Sequence, residues 1–305
     1  MPLRVTPGMM HMQLTRNLNN NLTQMQSIQN QVTTGRTINK PSDDPVGITY
    51  ALRYRTELSG NEQYQKNVDQ ALSWLDFNDT VLAQTGDVLQ RVKELTVQGS
   101  NGTNPAEALE NIKKEIEQLK SQLIDVANSK MNGKYVFNGQ KFDSIPYDVS
   151  SAGFDAKAVQ SDTEPVDYIV GAGVKLTVNI PGASVFGDPD AAGTTDNIFS
   201  TLDRLITALG TTNHNAVAAE VTNIESRMSK VLNARAEVGA RVNRIELMQN
   251  RLNDLEINLT ALQSKVEDAD FEELLIKSKV NENIYQASLS VGAKVISPSL
   301  IDFLR

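Results

Sequence analysis

The chain has 305 residues, a formal net charge of -8 and no cysteine, so disulfides, thiolate nucleophiles and cysteine-ligated metals are excluded. The acidic balance, with a pI near 5.0, argues against a nucleic-acid binder, which needs a basic stripe across a domain. Aromatic content is only 5%, with Trp74 the single tryptophan, which favours long helical packing over one thick globule, and no apolar run reaches the roughly 18 residues of a membrane span or fits a secretory h-region of about 7–15.

No Asp or Glu occurs before Asp43, while Arg4, Arg16, Arg36 and Lys40 supply positive charge among many Asn and Gln. Leu14, Leu18, Leu22, Met25, Ile28 and Val32 recur at three- and four-residue steps, the spacing of one helix face. The pattern predicts a helix from just after Pro7-Gly8 to Thr34, with Gly35 in the left-handed position that ends it. Pro41-Ser42-Asp43-Asp44-Pro45 then marks a joint: Asp44 suits an N-cap, Pro45 the first helical position, and a residue before Pro is pushed out of the helical region.

The second predicted helix covers residues 45–98, with Leu58, Val68, Leu72, Leu75, Leu82, Leu89 and Val92 close to a heptad repeat. Such a helix is about 80 Å long, too long for a compact ball. Residues 99–102, which include two glycines, are read as the turn. Asn104-Pro105-Ala106-Glu107 resembles a capping box opening a third helix, whose stripe is Leu109, Ile112, Ile116, Leu119, Leu123 and Val126. The short turn predicts that helices two and three are antiparallel.

From Asn132-Gly133 the character changes. Residues 134–196 hold seven of the eighteen glycines and four of the ten prolines, and β-prone runs occur at 135–137, 166–170 and 174–180. Asp196 is the expected cap of a short helix through Phe199, Leu202, Leu205 and Leu209. After Asn213 a long helix follows with Ile224, Met228, Val231, Val238, Val242 and Ile245 in one phase. Met248, Leu252, Leu255, Leu259, Leu262 and Val266 continue it after a slip of about one residue, which would locally change the supercoil. Beyond Glu267 the chain carries seven acids against four basic residues, counting Glu267 itself, and an apolar pattern of Phe271, Leu274, Leu275, Ile284, Ala287 and Val291. The fold class expected is mainly α with an inserted β domain, an elongated helical bundle or coiled coil closed by pairing of the N- and C-terminal segments. Its expected parts are a terminal coiled-coil domain (1–42 with 268–305), a helical rod (43–133 with 197–267) and the β insert (134–196).

Thr33-Thr34-Gly35-Arg36, then Asn39-Lys40-Pro41-Ser42-Asp43-Asp44-Pro45 after an acid-free helix, together with Val266-Glu267-Asp268-Ala269-Asp270-Phe271 and Tyr285-Gln286-Ala287-Ser288, resemble the flagellin-like axial proteins of bacterial flagella. Gly139-Gln140-Lys141 after Lys134-Tyr135-Val136-Phe137, and the tail Ser297-Pro298-Ser299-Leu300-Ile301-Asp302-Phe303-Leu304, look like the family's hook–filament junction members rather than its filament subunits. The resemblance implies a structural protein without catalysis, exported unfolded through the flagellar type III apparatus and folded on assembly. Its implied partners are hook-associated protein 1, flagellin, an export chaperone on the C-terminal segment, and copies of itself in a ring. It also implies that Leu14, Leu18, Leu22, Met25, Ile28 and Val32 pair with Phe271, Leu274, Leu275, Ile284, Ala287 and Val291 as the assembly seam, with residues 41–45 as the hinge. The implied location is extracellular, after a transient cytoplasmic stage. A flagellin, and a coiled-coil scaffold or membrane-surface protein, are the rival readings.

His11 and His214 are far apart in sequence and read as surface or packing residues, and there is no His-Glu-x-x-His run. Gly171-Ala172-Gly173 lacks the third glycine and the helix of a phosphate loop and reads as a hairpin turn. Glu267, Asp268, Asp270, Glu272 and Glu273 lack the spacing and glycine of a calcium loop and read as a solvated or interface-pairing face. The basic first helix has no Trp or Phe to anchor in a bilayer. No cofactor, metal, nucleic acid or membrane insertion is expected.

Overall fold

The computed structural model describes residues 7–151 and 153–296. The chain forms two compact units, one of residues 1–60 with 254–305 and the other of residues 61–253. The elements, in order, are α1 (Pro7–Thr34), α2 (Pro45–Ser100), α3 (Ala106–Ala127), β1 (Lys130–Met131), β2 (Lys134–Tyr135), β3 (Asp167–Gly171), β4 (Val174–Thr177), α4 (Gly182–Phe186), α5 (Ile198–Gly210), α6 (His214–Glu267) and α7 (Phe271–Ile296).

In the larger unit α2 and α6 run antiparallel. Asn61 Nδ2 donates to the Leu252 carbonyl (3.0 Å), Arg235 grips Asp79 through two nitrogens (3.0 and 3.1 Å), and Lys93 pairs with Glu225 (2.8 Å). Their buried lines are strict heptads: Asn61, Val68, Leu75, Leu82, Leu89 and Thr96 on α2, and Val217, Ile224, Val231, Val238, Ile245, Leu252 and Leu259 on α6. The expected slip after Ile245 is therefore absent from the buried line. Leu255 and Leu262, which suggested it, are exposed, so bulky residues outside the packed face shifted the apparent phase. α3 returns along α2, tied by Arg91–Glu115 (2.7 Å), and buries Leu109, Ile112, Ile116, Leu123 and Val126.

Several local expectations change. Gly99 is helical, because its bare Cα lets Leu209 and Val217 pack against α2: a Cβ there would stand 2.9 Å from Leu209 Cδ2. His214 Nδ1 lies 3.0 Å from the Gly99 carbonyl oxygen, a packing role for that histidine. Asn104 does not cap α3; its Nδ2 donates back to the Gln98 carbonyl, and Pro105 holds the cap position without a side-chain bond. Asn197, not Asp196, caps α5, accepting from the Phe199 and Ser200 N–H groups, because Asp196 is taken by Arg227 and Lys230 (2.7 Å each). Gly210 is the last residue of α5, and the chain turns at Thr212, with φ 52°.

Residues 134–196 form short hairpins rather than long strands. Asn132 (φ 51°) and Gly133 (φ 81°) make the turn between β1 and β2, and Gly171-Ala172-Gly173 is the β3–β4 turn. The expected run to Phe137 stops at Tyr135, and the run to Ile180 stops at Thr177. Val178, Ile180 and Phe137 are instead buried in the core of the helical unit. There Phe137 meets Phe186 edge-on (5.1 Å), Phe186 stacks on Phe199 (5.9 Å), and Tyr147 tilts over Phe199 (5.1 Å). Arg241 of α6 donates to the Thr177 and Asn179 carbonyls (3.0 and 2.9 Å). The hairpin region thus shares its core with α5 and α6.

Candidate assembly surface

In the smaller unit α1 packs antiparallel on α7: Ala269 N donates to the Gly35 carbonyl at one end (3.1 Å), and Gly292 meets Leu14 at the other. The covered positions of α1 are Leu14, Leu18, Asn21, Met25, Ile28 and Val32, alternating steps of four and three. Five of these are the sequence-predicted seam. The sixth expected member, Leu22, is 38% exposed, and Asn21 holds its place.

On α7 the covered line is Leu274, Ser278, Asn281, Tyr285, Ser288 and Gly292. Only Leu274 belongs to the expected set. Phe271, Leu275, Ile284, Ala287 and Val291 are exposed. The physical reason is that, Leu274 and Tyr285 apart, α7 approaches α1 through small or polar residues, Ser278, Asn281, Ser288 and Gly292. A Cβ on Gly292 would stand 2.7 Å from Leu14 Cδ2. Two ion pairs of α7, Lys277–Glu273 (2.9 Å) and Lys279–Glu282 (2.8 Å), lie within the helix itself.

Three of the expected residues, Ile284, Ala287 and Val291, lie instead on a second face. Ile276, Val280, Ile284, Ala287 and Val291, at steps of four, four, three and four, run along the outside of α7, and Met10, Met12 and Leu22 are exposed on α1. A row of exposed apolar residues along one helix face is a candidate interaction surface.

The joint lies between α1 and α2. Gly35, at φ 68°, ends α1 with its N–H on the Gln31 carbonyl (2.8 Å). Asp44 Oδ1 accepts from Val46 N (3.0 Å), as an N-cap should, and Asp43 Oδ2 accepts from the Asn39 and Lys40 N–H groups (3.1 and 2.8 Å). Pro41 and Ser42 make the exposed turn that allows this. Ile38 is buried against Gly47, where a Cβ would stand 2.5 Å from both Ile38 Cδ1 and Asp44 Oδ2.

Opposite the joint sits Glu267, the last residue of α6, with its side chain 1% exposed. Its Oε2 accepts from Arg55 Nη2 (2.6 Å) and lies 3.5 Å from Arg36 Nε. Sequence reasoning placed Glu267 in an acidic run without singling it out. The available signal was its position directly after Val266, where the long apolar repeat ends. Asp270, from the same run, caps α7 by accepting from the Glu272 and Glu273 N–H groups (3.0 and 3.1 Å). His11 is exposed on α1, and among the described residues no group of three or more His, Cys, Asp or Glu is placed to hold a metal. The tail motif at 297–304 lies outside the described residues.

The described chain is thus mainly helical, with α1 paired to α7 and an apolar row left exposed on the outside of α7. The family models described as bacterial flagellin N-terminal helical region and bacterial flagellin C-terminal helical region match residues 5–141 and 221–304, and the chain belongs to the bacterial flagellin family. It is similar to flagellar hook-associated protein 3 of Salmonella typhimurium, 24% identical over 99% of this chain and 100% of that one. The Escherichia coli protein of the same name is 27% identical over 94% and 95%. Flagellin of Bacillus subtilis is 26% identical over 96% of each chain. Among solved structures, a putative flagellar hook-associated protein from Vibrio parahaemolyticus shares the fold, with a TM-score of 0.66, 22% identity, and coverage of 74% of this chain and all of that one.

Proposed function

We propose that this protein is a structural component of the bacterial flagellum that acts at the hook–filament junction. In this reading it joins hook-associated protein 1 to flagellin, is exported unfolded, and folds on assembly in a ring of copies. The observation that carries the reading is end-to-end similarity to proteins named flagellar hook-associated protein 3, with 99% and 94% of this chain aligned. The uncovered apolar face of α7 supports it, because such a face needs neighbours once the chain is assembled and a cytosolic chaperone until it is exported. The work is mechanical, and no catalytic step is assigned. No described helix is long and apolar enough to cross a membrane.

The second reading, a filament subunit, is favoured by the flagellin match over 96% of the chain. Seeding separates the two. Purified full-length chain added to sheared filament ends should stop after a terminal layer if it is a junction protein. Continued elongation would overturn that reading in favour of flagellin.

A further inference from the structure

We infer that Glu267 is a positioning residue that makes the docking of the two chain ends a single event. The inference rests on the reading that the paired ends are the assembly surface. Burying a lone carboxylate is costly unless it is paired and hydrogen-bonded. Arg55 Nη2 (2.6 Å) and, more weakly, Gln263 Nε2 (3.4 Å) both donate to Oε2, while Glu267 Oε1 and Arg55 Nε are buried without a partner. The second cation is Arg36, and it arrives on the link that leaves α1. When α1 is undocked the carboxylate keeps one arginine, and when α1 docks it has two.

The main chain follows the same logic. The Glu267 carbonyl accepts from Thr37 N (2.7 Å), Ala269 N donates to the Gly35 carbonyl (3.1 Å), and Thr37 Oγ1 donates to the Asp268 carbonyl (3.1 Å). Residues 35–37 and 267–269 thus form a short antiparallel bridge around Arg36 and Asp268. One side of this bridge follows directly on Thr34, the last residue of α1. The other leads within two residues to Phe271, the first of α7. Glu267 contributes both its carboxylate and its carbonyl, so its displacement releases the end of α1 and the start of α7 together. Hydrogen bonds of this kind close a loop between residues more than two hundred positions apart. Each bond therefore makes the next easier to form, which is the origin of cooperativity between the two arms.

The test uses full-length chain carrying Glu267→Gln, Arg36→Gln, or both, expressed in a strain lacking the wild-type copy. The amount retained on isolated flagella is measured, as is trypsin cleavage after Arg16 in α1 and after Lys277 in α7, both exposed positions. Either single substitution should lower retention about tenfold, the ratio expected from a partly exposed charge-assisted bond, and should expose both cleavage sites in parallel. The double variant should be no worse than the stronger single. Cleavage that rises in the substituted arm alone, or losses that multiply in the double variant, would overturn the inference. Unchanged thermal unfolding of residues 61–253 guards against general misfolding. If the wild-type chain is not retained on flagella, the assembly reading fails, while paired cleavage in the free chain still decides the role of Glu267.

Discussion

Gly292 gives the sharpest perturbation of the α1–α7 seam, because two opposing terms can be weighed. Replacing a glycine inside a helix by alanine gains about 0.8–1.0 kcal/mol in helix propensity. At this position the new Cβ stands 2.7 Å from Leu14 Cδ2, so Leu14 must move, and its flexible end can do so. The two terms nearly cancel, and Gly292→Ala should change the stability of the helix pair by less than about 1 kcal/mol. Gly292→Leu keeps the propensity gain but forces a full side chain into the seam, at about 1–3 kcal/mol for overpacking, so a net loss of up to about 2 kcal/mol is expected. Ala293→Leu, one residue along on the exposed side, carries no such clash and serves as control. Peptide-resolved hydrogen exchange over residues 8–34 and 271–294 reads the loss directly. Equal protection in Gly292→Leu and Ala293→Leu would refute the close approach of α7 to α1.

Leu18→Asp puts a charge in the seam and should cost the helix pair about 2–3 kcal/mol, whereas Leu22→Asp on the outer face should stay within about 0.5 kcal/mol; the same exchange experiment compares them. Asn61 is buried in the α2–α6 repeat with Oδ1 unpartnered, so Asn61→Leu should raise the thermal midpoint of the 61–253 unit. A lower midpoint would mean that its bond to Leu252 outweighs the unmet oxygen. Asp190 is buried, which opposes its charge, but N–H groups of Thr195, Thr194 and Gly193 (2.8, 3.1 and 2.8 Å) hold its carboxyl well below the usual range. Its contribution is present above the unfolded value of about 3.9 and is lost as pH falls through the lower folded value, so the stability gap between wild type and Asp190→Asn should close on acidification below about pH 4. A gap independent of pH would contradict this.

What was readable in the sequence was what neighbouring residues decide. Gly35 ends α1 and Asp44-Pro45 opens α2 because caps depend on a few adjacent positions, and the α3 stripe was legible because its packed face is also its bulky face. Where those diverge, the pattern misled. α7 packs through Ser278, Asn281, Ser288 and Gly292, so its large apolar residues pointed to the wrong face. Leu255 and Leu262 simulated a slip that the buried heptad of α6 does not contain. Asp196 had the right chemistry to cap α5 but was claimed by Arg227 and Lys230, thirty or so residues away in sequence. The Phe137, Phe186 and Phe199 cluster, and the Arg36–Glu267–Arg55 group, join segments far apart in the chain, and no local spacing announces them.

The most direct measurement of the central claim is the position of this protein in a flagellated cell. Full-length chain carrying a single introduced cysteine at an exposed site, in a chain that has none of its own, can be labelled on live cells. A junction component gives one point of label at the base of each filament, between hook and filament. Label along the whole filament would contradict the account and make the protein a filament subunit.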